Sequence, residues 1–208
     1  AKQAGVLLVD ELADFEDLVR MFVQLRGQTV RGLRLGALTN AGFESVAFAD
    51  NLGPFTLAPF ADGTRTRIGA LLDAARLGGI VTPGNPLDVT PILTDEPFAE
   101  AADAVLRDEG TDVAVIGCVP LSGALQTLPA GEGHGEDVAA PDSVARRLAA
   151  LKREGGRAWV AVVDAGRLYD PMAALLEDAG IPTFRSADRA LRLFAQYCEA
   201  RHLQTRMH

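Results

Sequence analysis

Short apolar runs alternate with amphipathic stretches along this chain, and this alternation predicts an α/β fold. The runs that resemble strands, such as Val-Ala-Val-Ile at residues 113–116, lack a polar residue at every second position. Strands without polar alternation are typical of a parallel sheet that is covered on both faces. We therefore predict a doubly wound, mainly parallel, flavodoxin-like sheet with helices on both faces.

The predicted elements follow one another in a regular order. Strands are predicted at residues 33–39, 112–117, 158–163 and 182–185, with a weaker one at 56–58. Helices are predicted at residues 43–50, 63–76, 96–108, 143–153 and 170–179, and a last helix begins at residue 187. Residues 78–91 are rich in Gly and Pro, so we expect them to form a loop with fixed turns.

Residues 1–30 are expected to be a strand and a helix that lead into the main domain. Residues 5–9 form an apolar run, and Leu12, Phe15, Val19 and Phe22 then recur at steps of three and four, which predicts an apolar helix face. The chain begins Ala-Lys-Gln, so we expect this segment to continue from an upstream domain. The flavodoxin-like domain is expected at residues 31–200, and residues 201–208 are expected to be a tail.

Composition excludes several classes of protein. The 208 residues are 48% hydrophobic and 23% charged, which is typical of a globular chain. The net charge of −8 argues against binding nucleic acid or an anionic membrane by general electrostatics. Two cysteines eighty residues apart, Cys118 and Cys198, exclude a disulfide scaffold and a zinc motif, and favour a cytoplasmic location. No metal site and no membrane span are predicted.

The turn Thr39-Asn40-Ala41-Gly42 is the most informative local feature. A strand that leads through a glycine-containing turn into a helix leaves backbone N–H groups unpaired, and these groups suit a phosphate. The alternative interpretation is a simple helix cap by Asn40, with Gly42 easing the turn. Glu44 lies in the first helical turn, where its carboxylate would repel a phosphate. Either its side chain turns outward, or this helix start no longer holds an anion.

Four further polar residues are expected at the edge of this site. Asn85 and Asp88 belong to a rigid turn set by Pro86, and Cys118 and Ser122 follow the predicted strand at 112–117. Each also has a structural interpretation: a simple turn for Asn85 and Asp88, and a small buried thiol for Cys118. Ser122 lacks the G-x-S-x-G setting of a hydrolase nucleophile.

Taken together, these segments resemble the C-terminal ligase domain of the ADP-forming (NDP-forming) acyl-CoA synthetases, which are related to succinyl-CoA synthetase. The resemblance rests on segments whose order and spacing cover nearly the whole chain. They are Ala4-Gly5-Val6 with Asp10-Glu11-Leu12, Leu38-Thr39-Asn40-Ala41-Gly42, Gly84-Asn85-Pro86-Leu87-Asp88-Val89-Thr90, and Ala179-Gly180-Ile181-Pro182-Thr183-Phe184-Arg185-Ser186.

The resemblance implies an activity that is shared among several domains. Such ligases join a carboxylic acid to coenzyme A while converting ATP to ADP and phosphate, with Mg, through a phosphohistidine. The histidine is expected upstream of this chain, so no catalytic residue is expected within it, and the chain alone is expected to be inactive. The expected partners are a CoA-binding domain and an ATP-grasp domain or subunit, which bind the cofactors; association into homo-oligomers stays open.

Within such an enzyme this domain supplies a "power helix", whose N-terminus steadies the phosphohistidine. The matching positions are Thr39, Asn40, Ala41 and Gly42. The family commonly has further small residues after this glycine, whereas this chain has Phe43 and Glu44. This departure supports an alternative function, a non-catalytic module of the same fold that senses a ligand or docks subunits.

Overall fold

The computed structural model describes residues 6–206 and shows a parallel five-stranded sheet. Its strands lie in the order β2-β1-β3-β4-β5, and every neighbouring pair is parallel. This order is the doubly wound arrangement of flavodoxin-like proteins, so the predicted fold class is confirmed. The strands are β1 (Leu35–Thr39), β2 (Leu87–Asp88), β3 (Val113–Gly117), β4 (Trp159–Val162) and β5 (Thr183–Phe184).

Helices cover both faces of the sheet. They are α1 (Leu12–Gln24), α2 (Gly42–Asp50), α3 (Asp62–Ala74), α4 (Asp95–Arg107), α5 (Val144–Glu154), α6 (Asp170–Asp178) and α7 (Ala187–Arg206). Apolar residues of α3, α4, α5 and α6 form one core with one face of the strands. Residues of α1, α2 and α7 form a second core on the opposite face. Two cores explain why the strands are apolar throughout, since alternate residues enter alternate cores.

Four predicted elements differ from the structure. The weak strand at 56–58 is a single bridge between Arg34 and Thr56, and the predicted loop at 78–91 contains β2. Residues 6–9 form no strand, and Gly5, the first residue of that apolar run, lies outside the described residues. Residues 201–206, expected in the tail, continue α7, whereas 207 and 208 lie outside the described residues.

The predicted apolar face of α1 is largely exposed to solvent. Leu12, Phe15 and Val19 are 74%, 54% and 48% exposed, whereas Leu18 and Met21 are buried. Phe22, the fourth residue of the predicted face, is partly buried against the ring of Tyr197. The residues of this face recur as predicted, but α1 packs on α7 with the neighbouring face, which carries Leu18 and Met21.

A buried carboxylate lies on the face of α1 that packs inward. Asp14 is only 5% exposed and forms salt bridges with Arg189 (3.0 Å) and Arg192 (2.5 Å) on α7. Asp17 adds a second salt bridge to Arg189 at 2.8 Å. The hydrogen bond from Arg192 lowers the pKa of Asp14 despite the opposing effect of burial. These pairs tie the first helix to the last.

Replacing Asp14 with Asn is therefore expected to destabilise the protein by about 1–2 kcal/mol, because a charge-assisted pair becomes neutral at a buried position. Chemical denaturation at pH 7 measures the change. Glu16→Gln is the matched control, since Glu16 is exposed on the same helix. Equal unfolding midpoints for the two variants would show that the Asp14 pairs contribute nothing.

Candidate functional site

The carboxyl ends of β1 and β3 meet where the strand order of the sheet reverses. In doubly wound sheets this switch point opens a crevice in which ligands bind. Thr39 ends β1 and leads into α2, and Gly117 ends β3. The predicted turn Thr39-Asn40-Ala41-Gly42 thus lies at the position where such a fold places its site.

The turn itself is held by Thr39 and Ala41. Ala41 is the N-cap residue of α2, with extended backbone angles (φ −145°, ψ 127°) and no side-chain capping bond. The hydroxyl of Thr39 accepts a hydrogen bond from the N–H of Ala41 at 3.1 Å. This bond fixes the chain direction as it leaves the strand and enters the helix.

Asn40 joins the ends of two neighbouring strands. Its side chain is 1% exposed. Its amide nitrogen donates to the carbonyl oxygen of Val119 at 3.0 Å, and its amide oxygen accepts from the N–H of Val119 at 2.8 Å. The alternative interpretation of Asn40 as the cap of α2 was wrong, because this side chain is fully engaged with the loop after β3.

Two backbone amides at the start of α2 are left without a partner. The N–H groups of Glu44 and Ser45 both donate to the carbonyl oxygen of Ala41 at 3.1 Å. The N–H groups of Gly42 and Phe43 make no hydrogen bond among the described residues. Free amides at a helix N-terminus, together with the positive end of the helix dipole, are suited to binding an anion.

Glu44 turns inward, away from solvent, so the outward orientation that the sequence analysis considered was wrong. Its side chain is fully buried (0% exposed), and its Oε2 accepts a hydrogen bond from the hydroxyl of Thr39 at 2.5 Å. The other oxygen, Oε1, has no partner among the described residues. Burial raises the pKa of Glu44 to about 8; the negative charge of Asp164 adds to this effect, and the Thr39 hydrogen bond opposes it. Glu44 is therefore mostly uncharged at pH 7, and the repulsion expected from the sequence is largely removed.

Gly117 makes room for the Glu44 side chain. A Cβ atom at this position would lie 1.9 Å from Oε2 of Glu44 and 2.9 Å from Cζ of Phe48. Only glycine therefore fits at the end of β3 while Glu44 stays buried. Gly117 and Val119 lie where the sequence analysis placed the carboxyl end of a strand, but neither was singled out as a site residue, and the only local signal was a glycine that ends an apolar run.

Asp88 places a second carboxyl group beside the turn. It pairs with Thr39 in the β1–β2 register, and its Oδ1 accepts from the N–H of Thr90 at 2.9 Å. A Cβ atom on Gly42 would lie 3.4 Å from Oδ2 of Asp88. The structure places Asp88 beside Gly42, and its role at the site stays a prediction.

Asn85 lies farther along β1, beside the first half of the strand. Its side chain bonds the carbonyl oxygens of Leu35 (2.7 Å) and Ala58 (2.9 Å) and the N–H of Ala37 (3.0 Å). These bonds substitute for strand pairing at the edge of the sheet. Asn85 therefore holds β1 in place rather than lining the start of α2.

Cys118 and Ser122 both lie in the chain that leaves β3. Cys118 is buried, and burial raises the pKa of its thiol, with the nearby carboxyl groups of Glu44 and Asp95 adding to the effect. A thiol with a raised pKa carries little thiolate, which is the nucleophilic form. The hydroxyl oxygen of Ser122 is inaccessible and has no hydrogen-bond partner among the described residues. Neither side chain is set up as a nucleophile.

Residues 6–206 contain no group of three or more His, Cys, Asp or Glu side chains that could hold a metal ion. No helix in that same range is long and apolar enough to cross a membrane.

Comparison with known proteins gives matches in structure alone. No protein-family model matches the chain, and no curated protein matches it.

Solved archaeal structures share the fold over nearly the whole chain. The protein PH0766 from Pyrococcus horikoshii OT3 is similar over 98% of the chain, with a TM-score of 0.73 and 24% identity. The dinucleotide-forming acetyl-coenzyme A synthetase 1 of Ca. Korarchaeum cryptofilum, solved with phosphate and ADP, is similar over 99%, with a TM-score of 0.76 and 19% identity. Its apo form gives a TM-score of 0.74 at the same identity and coverage.

The chain spans well under half of these proteins, covering 42% of PH0766 and 41% and 42% of the two synthetase chains. The likeness to acyl-CoA synthetases that the sequence motifs suggested is thereby confirmed at the level of the fold. The chain has the fold of part of an archaeal acetyl-coenzyme A synthetase, with its predicted phosphate turn at the switch point of the sheet.

Proposed function

We propose that this chain is a domain of an ADP-forming acid–CoA ligase, in which α2 is the power helix that steadies a phosphohistidine. The observation that carries the proposal is the pair of free amides of Gly42 and Phe43 at the switch point. The motifs shared with acyl-CoA synthetases support it, as does the fold shared with a synthetase that was solved with phosphate and ADP.

The physical task of the site is to stabilise negative charge without reacting. The amides of Gly42 and Phe43 donate to phosphoryl oxygens, and the helix dipole adds a favourable field. Asn40 fixes the turn against the loop after β3, so the amides are positioned before the phosphate arrives. Buried Glu44 is mostly protonated near neutral pH and adds little repulsion.

The reacting groups belong to other parts of the complete ligase. An upstream histidine carries the phosphoryl group, a CoA-binding domain binds coenzyme A, and an ATP-grasp domain or subunit binds ATP with Mg. The carboxylic acid binds largely outside this chain. The location of such an enzyme is the cytoplasm.

A second candidate function is a non-catalytic module that senses a ligand or docks subunits. The observation that favours it is the carboxyl group of Asp88, which lies beside Gly42 at the edge of the turn. A charged carboxylate at this position weakens the binding of a phosphate. In this case the domain binds acyl-CoA or a partner subunit, and no phosphoryl group reaches α2.

A proline at residue 42 tests the power-helix role with little change to the fold. Gly42 is the first residue of α2, a position at which proline suits a helix. The preceding Ala41 already has the extended backbone that a following proline requires. Gly42→Pro therefore removes one free N–H and leaves the helix intact.

In the complete ligase, Gly42→Pro is expected to lower the formation of acid-labile phosphoprotein from radiolabelled ATP by roughly 10-fold or more, which corresponds to losing one charge-assisted hydrogen bond. Asp62→Pro is the matched control, because Asp62 opens α3 after the extended residue Ala61. Wild-type labelling of Gly42→Pro would rule out the power-helix role. If the wild-type ligase itself gives no phosphoprotein, and calorimetry shows that it binds acyl-CoA tightly, the sensing module is supported instead.

A further inference from the structure

A cavity of about 330 Å³ lies at the amino ends of the strands. The phosphate turn, residues 39–42, lies at the other end of the sheet, where the strands have their carboxyl ends. The cavity is formed where the chain enters β4 and where α4 and α5 end. We call it the amino-edge pocket; its lining includes Arg31, Arg107, Arg157, Asp103, Glu154, Leu106, Leu151 and Trp159. Its volume lies at the lower end of the range, roughly 300–1,000 Å³, that small-molecule sites occupy.

The pocket is unusually rich in arginine for a chain with a net charge of −8. Its two carboxylates are already engaged. Asp103 forms salt bridges with Arg67 at 2.8 Å and with Arg107 at 2.6 Å, and Glu154 also pairs with Arg107. Arg107 and Arg67 together therefore neutralise the two acids along one wall.

The other two arginines, Arg31 and Arg157, have no carboxylate within the distance of a salt bridge among the described residues. Arg157 is half-buried, and the hydrogen bond it makes there runs from Nη1 to the carbonyl oxygen of Leu106. Burial lowers the pKa of Arg157, and the positive charges of Arg31 and Arg34 lower it further, whereas the carboxylates of Asp108 and Asp112 partly oppose this effect. Two guanidinium groups that repel each other beside a cavity are the arrangement that a bound anion stabilises.

The rest of the lining specifies the kind of anion. Leu106 and Leu151 are partly buried, and the buried indole of Trp159 lies at the base, so an apolar body fits beside the charged head. The N–H of Gly156, on the pocket wall, makes no hydrogen bond among the described residues and adds a donor.

We infer that the amino-edge pocket binds a small organic anion, with a carboxylate or phosphate held by Arg31 and Arg157 and an apolar group packed on Leu106, Leu151 and Trp159. This inference is independent of the proposed ligase function, because the pocket lies at the amino ends of the strands and shares no residue with the phosphate turn.

The intrinsic fluorescence of Trp159 provides a direct test, since it is the single tryptophan of this chain. At low ionic strength, benzoate and phenyl phosphate are expected to change this fluorescence saturably. Inorganic phosphate is expected to bind more weakly because it lacks the apolar body, and neutral benzyl alcohol is expected not to saturate. Tighter binding of benzoate would indicate a carboxylate ligand, and tighter binding of phenyl phosphate would indicate a phosphate ligand.

Arg157→Gln is expected to weaken the binding of the better probe by roughly 10-fold or more, and Arg31→Gln by several-fold. Arg146→Gln is the matched control, because Arg146 is exposed at the far end of α5. Arg31 is exposed, so Arg31→Gln still tests the pocket if Arg157→Gln fails to fold. The inference would be overturned if Arg31→Gln and Arg146→Gln bound the probe with equal affinity. It would also be overturned if no probe saturated the fluorescence change at 10 mM, a concentration that corresponds to roughly 3 kcal/mol of binding free energy.

Discussion

Raising the pH from 5 to 9 is expected to destabilise the wild-type protein through Glu44. This carboxyl group has a pKa of about 8 in the folded state and an ordinary value of 4.5. Between these values the folded state binds more protons than the unfolded state, so stability falls as the pH rises. The full loss is reached above pH 8 and amounts to at most roughly 5 kcal/mol, from about 1.4 kcal/mol for each pH unit.

Glu44→Gln isolates this contribution, because it keeps the shape of the side chain and removes the titration. The variant is expected to be more stable than wild type at pH 9 and similar to it at pH 5, as measured by urea unfolding across this range. Asp50→Asn, on the exposed end of the same helix, is the matched control and should follow the wild-type curve. Parallel curves for wild type and Glu44→Gln would mean that Glu44 is already ionised in the folded protein.

Asn40→Ala is expected to cost about 2–4 kcal/mol of stability, because it breaks two buried hydrogen bonds and leaves the N–H and carbonyl of Val119 without partners. Differential scanning calorimetry or urea unfolding at pH 7 measures the loss. Asn51→Ala is the control, because Asn51 is exposed and makes one bond, to the carbonyl of Ala47. It is expected to cost less than about 1 kcal/mol.

A second variant separates structure from charge at the same position. Asn40→Asp keeps an oxygen that accepts from the N–H of Val119 but loses the donor to its carbonyl and buries a charge. It should therefore be at least as unstable as Asn40→Ala. An Asn40→Ala protein as stable as Asn51→Ala would show that the link between β1 and the loop after β3 is dispensable.

The fold could be predicted because its signals are local. The apolar strands β1, β3 and β4 are visible without any knowledge of their neighbours, and so are the helices that separate them. The short β2 could not be predicted, since Leu87 and Asp88 follow a proline-rich turn and become a strand only by pairing with β1. Its formation is a tertiary effect that overrides local preference.

The orientations of α1 and Glu44 depend on residues far away in the sequence. Leu12, Phe15 and Val19 gave a clear helical periodicity, but α1 packs inward with the neighbouring face, on which Asp14 pairs with Arg192. The carboxyl group of Glu44 is buried because Gly117 leaves space for it. In both cases the deciding partner is more than seventy residues distant, so no local pattern could reveal it.

The link between α1 and α7 also affects how the protein is made. Asp14 and its partner Arg192 are separated by 178 residues, which a ribosome adds in about 10–35 s. Throughout that interval the nascent α1 exposes apolar side chains on both of its faces, Leu12 and Phe15 on one and Leu18 and Met21 on the other. The inward face of α1 is thus covered long after it is synthesised, and until α7 emerges it is a natural binding site for a chaperone.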